Sequence, residues 1–151
     1  VQTCALPIYL GTMTEPGMRA RSNICPFIVA KDGEVLLVLG GAGGGMIPPA
    51  VVHAITRVID FGMELPHALA EPRVAGGFGG GLNAETSPGI GWTGDELEQM
   101  EALGLDISPQ PRTGAFGRIH GIQFDPETRT FIGAADPDWE GTARGPMVIG
   151  R

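Results

Sequence analysis

The residues best placed to do chemistry in this chain are ones without side chains. Gly40-Gly41-Ala42-Gly43-Gly44-Gly45 sets five glycines between an apolar run, Val35 to Leu39, and a helix-like run that begins at Ile47. Without a Cβ, backbone can approach a substrate closely. Successive N–H groups at a helix start also attract anions. Such a corner can cradle a phosphate, hold another anion, or stabilise the negative oxygen of a tetrahedral intermediate. It can equally be a tight turn. The phosphate readings fail on their companions. A P-loop needs Lys and then Ser or Thr directly after its last glycine, but Met46-Ile47-Pro48 follows Gly45. The dinucleotide fingerprint needs a third glycine where Met46 stands, then a buried strand. The segment after the helix, "MELPHALAEPRV" from Met63, is not one.

The remaining chemistry-bearing side chains are scattered. His53, His67 and His120 form no cluster, and two cysteines, Cys4 and Cys25, make no disulfide framework. Cys25 reads as a small buried residue, since no neighbouring base lowers its pKa. His53 shares the polar helix face with Thr56, Arg57 and Asp60 and reads as a solvated residue. Arg73 can pair with an acid in the core or face the pocket, and the structural reading leads. Asp136, before Pro137, is expected to serve a turn or cap. Asp95, Glu96 and Glu98 crowd a helix start, where acids favour the dipole. Trp92 and Trp139 read as packing residues.

The elements that must position these groups are short. The chain has 151 residues, 25 glycines and 13 prolines, enough for one domain with a core but few long helices. Its 42% hydrophobic and 18% charged content is globular. The net charge of -7 argues against a nucleic-acid partner and against electrostatic membrane anchoring. No apolar run is long enough to span a bilayer. Phe27–Ala30 and Val35–Leu39 read as strands joined by an Asp32-Gly33 turn. Both are apolar almost throughout, which predicts strands covered on both faces. A helix follows, with Pro48 and Pro49 in its first turn, Val51, Val52, Ile55, Val58 and Ile59 on its apolar face, and Gly62 capping it. A short helix stops at Pro72. The glycine-rich stretch from Ala75 to Trp92 reads mostly as loop. Thr93 caps a helix that ends at Gly104. Gly117 to Asp136 reads as a second hairpin about Asp125-Pro126-Glu127-Thr128, followed by an irregular tail. The whole is a mixed α/β (α+β) layered arrangement.

In order and spacing, these segments resemble the small-subunit region of gamma-glutamyltransferases, also called gamma-glutamyl transpeptidases or glutathione hydrolases. The resemblance is carried by Ser22-Asn23-Ile24-Cys25-Pro26, Asp32-Gly33, Gly40-Gly41-Ala42-Gly43-Gly44, Ile59-Asp60-Phe61-Gly62-Met63, and Ala68 through Pro72-Arg73. Met100 to Gly104 and Gly133 to Pro137 continue it downstream, so that it covers most of residues 18 to 145. It implies an Ntn hydrolase with a stacked αββα core, made as a precursor that cleaves itself into two subunits. The new N-terminal threonine is the nucleophile, and its α-amino group serves as base. The gamma-glutamyl group of glutathione or a related amide passes to water or an amino acid, without a cofactor. Relatives of this kind are often periplasmic or secreted.

Carried onto this chain, the resemblance makes Gly43 and Gly44 the oxyanion-hole pair and Ser22 and Asn23 the pair that binds the substrate's α-carboxylate. Asn23 departs from the family's serine, and Gly41-Ala42 replaces a Ser-Pro. The nucleophile is expected well upstream of Ser22, and Thr12 and Thr14 are too close to play that part. Residues 1–9 read as a non-native leader, and 10–151 as the C-terminal portion of a small subunit. Its partners would be the large subunit and the upstream small-subunit segment. Two other functions stay open: a related acylase or amidohydrolase with non-glutamyl specificity, and a non-catalytic anion-binding module.

Overall fold

The computed structural model describes residues 17, 22–77, 80–139 and 141–142. The leader at 1–9, with Cys4, and the threonines at 12 and 14 lie outside the described residues. Strand β1 (Phe27–Lys31) turns into β2 (Glu34–Ala42) through Asp32 and Gly33, at φ 54° and 85°. Positive φ at both central residues matches the right-handed twist of the flanking strands. The register sets Phe27 opposite Leu39 and Lys31 opposite Glu34. The other edge of β2 takes β6 (Arg118–Asp125), which pairs with β7 (Thr130–Ala135), giving the antiparallel order β1-β2-β6-β7. The turn between β6 and β7 is closed by the Asp125 carboxylate, which accepts from the N–H groups of Glu127 and Thr128 at 2.9 and 3.3 Å.

Helix α1 (Ile47–Ile59) carries Pro48 and Pro49 in its first turn, where a missing N–H costs nothing. Gly62, at φ 68°, lets the chain reverse into α2 (Leu65–Ala70). Both helices cover one face of the sheet. Leu37, Leu39 and Ile119 meet Ile47, Ala50, Val51, Ala54 and Val58 of α1 and Leu65, Ala68 and Leu69 of α2 in one buried cluster, with Cys25 half-buried against it. Val52 and Ile59, expected on the apolar face, are exposed, and the buried face of α1 runs through Ile47, Ala50, Val51, Ala54 and Val58.

The expectation that the first two strands are covered on both faces is corrected. Alternate residues point to opposite sides of a sheet, and among the described residues only the Leu37 and Leu39 side has helices on it. The other side exposes Ile28 at 64%, Ile122 at 50% and Phe131 at 75%. It forms an apolar trough of about 930 Å³ lined by Val38, His120, Ile122, Phe131 and Gly133 among others.

The glycine-rich stretch is mostly loop as expected, but it also carries the end of β3 (Val74–Gly76) and all of β4 (Leu82–Glu85), and β5 (Ile107–Gln110) joins β4 in parallel, forming a sheet of order β3-β4-β5. Strands this short are decided by pairing across the chain, such as Glu85 opposite Gln110, and turn-rich composition hides them. Helix α3 (Gly94–Ala102) opens on the expected cap. Thr93 N donates to Glu96 Oε2 at 2.8 Å and Glu96 N to Thr93 Oγ1 at 3.3 Å. The backbone N–H and then the hydroxyl of Thr93 hold the Glu96 carboxyl below the usual range. Gly104, at φ 84°, ends the helix turn. Helix α4 (Arg112–Ala115) leads back to β6.

Gly121 is a position of close packing within the sheet and against α2. A Cβ there would lie 2.5 Å from Leu39 Cδ2, 2.8 Å from Val38 O and 3.1 Å from Leu65 Cδ2. Gly121→Ala is therefore expected to lower stability by about 1–3 kcal/mol through overpacking. The urea midpoint of the variant checks this, and an unchanged midpoint would show that Leu39 and the strand pairing relax freely.

Candidate functional site

The glycine corner joins the end of β2 to the start of α1. Gly43 adopts φ 129° and ψ 18°, and Gly44 has φ 57°, both conformations that L side chains rarely take. A Cβ on Gly43 would also lie 2.8 Å from Gly117 Cα. Gly44–Met46 form one tight turn in which Met46 N donates to Gly43 O at 3.1 Å. The N–H groups of Gly44 and Gly45 precede that first bond and have no carbonyl within the turn to reach. Bare donors thus stand at the positive end of a 13-residue helix, and no side chain on Gly43 to Gly45 crowds them.

Ser22 and Asn23 lie upstream of β1. The antiparallel register sets Phe27, the first residue of β1, opposite Leu39, three residues before the end of β2. Ser22 is exposed and Asn23 half-buried. Ser22 Oγ accepts from Ile24 N at 3.3 Å, a local turn that still leaves its O–H to donate. Among the described residues no group of three or more His, Cys, Asp and Glu is placed to hold a metal, and no helix is long and apolar enough to cross a membrane.

Behind the corner lies a cluster of four buried charges: Arg73, Arg112, Glu85 and Asp136 are each at most 2% exposed. Arg73 Nη2 donates to both oxygens of Asp136, at 2.8 and 2.9 Å, and to Leu69 O at 3.1 Å, while its Nη1 donates to Gly117 O at 2.6 Å. Arg112 Nε donates to Glu85 Oε1, and its Nη1 to Asp136 Oδ1 at 3.0 Å. Its remaining protons go to the carbonyls of Leu69, Ala70 and Glu71. The carboxylates are also filled by backbone: Arg73 N donates to Glu85 Oε2 at 3.1 Å, and Ile119 N to Asp136 Oδ2 at 2.6 Å. Arg73 thus finds the core acid expected of it. Asp136 opens the turn expected of it, its carbonyl accepting from Trp139 N at 3.1 Å, and its buried carboxylate is in addition the shared acceptor of two arginines. Glu85, Arg112 and Gly117 were not anticipated, since their partners are distant in sequence.

His53 is also corrected. It is half-buried, with Nε2 donating to Val74 O at 2.8 Å, because the segment after α2 folds back over the helix face that seemed polar. Burial and then the nearby Arg57 charge push its pKa down, against the Val74 hydrogen bond. Arg57 closes the end of α2, donating to the carbonyls of Ala68 at 3.1 Å, Glu71 at 3.3 Å and Pro72. Trp92 is a packing residue with its Nε1 donating to Arg73 O at 3.1 Å. Trp139 is 47% exposed instead, 4.4 Å beneath the Arg118 guanidinium, which also pairs with Asp138 at 3.2 Å. Arg118 sits opposite Ala42 in the sheet, so this stack flanks the corner.

A mixed α+β fold with a strand, a glycine corner and a helix N-terminus defines a class, and comparison with known proteins places the chain within it. The chain belongs to the gamma-glutamyltranspeptidase family, whose model matches residues 11–145. It is 31% identical over 131 residues to a glutathione hydrolase proenzyme of Bacillus subtilis, covering 87% of this chain and 21% of that protein. It therefore spans about a fifth of that relative's length. The structure resembles the gamma-glutamyltranspeptidase of Helicobacter pylori, with TM-score 0.71 and 31% identity over 82% of this chain and 65% of that one. It also resembles a cephalosporin acylase of Bacillus halodurans, with TM-score 0.71 and 28% identity over 85% of this chain and 25% of that one. The fold is the Ntn-hydrolase type anticipated above.

Two outcomes follow from this geometry. Asp136→Asn leaves two buried guanidiniums with one carboxylate and is expected to cost about 3–5 kcal/mol in urea unfolding; a loss below about 1 kcal/mol would show that water readily replaces the carboxylate. His53 has a lowered folded pKa, so below its unfolded value of about 6.5 the unfolded state binds the extra proton. Stability is then fully present above pH 6.5 and falls as pH drops toward the folded pKa. His53→Gln should flatten that fall below pH 6.5, as read from urea midpoints.

Proposed function

We propose that this chain is the C-terminal part of the small subunit of a gamma-glutamyltransferase precursor that cleaves gamma-glutamyl amides such as glutathione. In this reading a threonine outside the chain attacks the acyl carbon and its α-amino group takes the proton. The developing oxyanion is held by the N–H groups of Gly43 and Gly44. Collapse expels the amine, which takes the proton from the threonine's ammonium, and leaves a gamma-glutamyl ester on the threonine oxygen; water or an amino acid then attacks that ester, takes the gamma-glutamyl group and returns the hydroxyl. Ser22 and Asn23 hold the α-carboxylate of that group. The observation that carries the reading is the corner itself: Gly44 N–H unclaimed within its turn, Gly43 beside it without a side chain, at a helix N-terminus in a chain of this family. Donors fixed before reaction are worth most in a site that excludes water, because no reorganisation is needed as charge develops.

The bare face of the four-stranded sheet supports the precursor reading. Ile28, Ile122 and Phe131 form an apolar surface of the kind a second sheet covers. We assign that covering layer to the rest of the precursor, which makes the large subunit and the upstream small-subunit segment the partners of this chain.

One observation favours a second specificity on the same chemistry. Asn23 is larger than serine and sets its donors further from the backbone, and the likeness to a cephalosporin acylase is as close in TM-score as that to a transpeptidase. An acylase acting on a non-glutamyl amide would use the same oxyanion corner with a different acyl pocket.

Assay of the precursor and of the isolated chain separates these readings. The precursor is expected to release the chromophore from a gamma-glutamyl anilide, and the isolated chain to release none. Turnover by the isolated chain would remove the upstream nucleophile from the mechanism. A precursor preference for a non-glutamyl acyl amide would replace the gamma-glutamyl assignment with the acylase one.

A further inference from the structure

The geometry points to Gly117, held by Arg73, as a positioning residue for the glycine corner. This rests on the assignment of the Gly43 and Gly44 N–H groups as oxyanion donors. Gly117 is packed against backbone on the corner side. The position a Cβ would take on Gly43 lies 2.8 Å from Gly117 Cα. The position a Cβ would take on Gly117 lies 2.4 Å from Met46 O and 3.1 Å from Ala50 Cβ. Corner and helix start therefore close directly onto Gly117, with no side chain between. Backbone contacts of this kind cannot relax by a rotamer change.

The same residue is fixed from the other side. Gly117 O accepts from Arg73 Nη1 at 2.6 Å, and Arg73 cannot swing, because its Nη2 is committed to Asp136 and Leu69 O. Two residues on, Ile119 N donates to Asp136 Oδ2 at 2.6 Å. Both ends of the Gly117 to Ile119 span are thus tied to the Arg73–Asp136 pair. The buried charges reach the donors of Gly43 and Gly44 through one glycine, without touching substrate. Lysine cannot replace Arg73 here. A single ammonium lacks the fork that serves Gly117 O and both Asp136 oxygens together.

The test uses the full precursor, labelled with ¹⁵N-glycine, as wild type, Gly117→Ala and Arg73→Lys. In both variants the Gly43 and Gly44 amide resonances are expected to shift without ligand. The kcat should fall about a hundredfold, as for a donor misplaced by an ångström, while KM stays within about twofold. Amides that do not move overturn the positioning role. Amides that move while kcat is unchanged support it and overturn the oxyanion assignment instead. Should either variant fail to fold, hydrogen exchange in the wild type decides. Met46 N–H, bonded to Gly43 O, and Ile119 N–H, bonded to Asp136, are expected to open together with one urea dependence. Independent opening of Met46 overturns the proposal.

Discussion

Two guanidiniums and two carboxylates share one dry space in this protein, and most of the architecture around the glycine corner is arranged about them. Removing four charges from water costs several kcal/mol per ion unless every donor and acceptor is met. Here the set is balanced in charge, and backbone completes it: carbonyls of residues 69 to 71 and 117 take the spare guanidinium protons, and the N–H groups of Arg73 and Ile119 fill the carboxylates. The cluster also joins parts that strand pairing does not. Glu85 belongs to the three-stranded sheet, Asp136 follows the last strand of the four-stranded one, and the arginines come from segments between them. Apolar side chains could fill the same volume, but they would not fix four segments in one relative position. Directional bonds do so.

The corner inherits its order from that cluster. Glycine is needed there because Gly43 and Gly44 occupy backbone conformations and close contacts that other residues resist. Freedom of that kind would be a liability in the proposed role, where the corner must hold oxyanion donors still. The solution is to press the flexible segment against a second glycine whose carbonyl is held by a buried arginine. Rigidity comes from the neighbours, and openness from the missing side chains. The four-stranded sheet shows the complementary condition. One face is sealed by two helices, and the other presents apolar side chains to solvent.

Much of this was legible from local pattern. Asp32-Gly33 announced its hairpin, Thr93 and Glu96 their capping box, Pro48 and Pro49 the first turn of α1, and Asp125 to Thr128 the second hairpin, because each depends on residues a few positions apart. Motif order likewise pointed to the family, and with it to Gly43, Gly44, Ser22 and Asn23. What failed locally failed for one reason. The short strands at Val74 and Leu82 exist through partners elsewhere in the chain. His53 looked solvated until Val74 was folded onto it.

The sequence by itself determined the turns, caps, helices and hairpins, the bare backbone at the corner and the kinship of the chain, since these are set by residue type and short spacing. Only the tertiary structure decided which face of the sheet is sealed, that Asp136 joins Arg73 and Arg112 in the interior, and that Gly117 stands under Gly43. Those contacts join residues 24 to 74 positions apart. Nothing in the local pattern encodes a pairing over such distances. It is chosen when burial forces each charge and each backbone donor to find a partner.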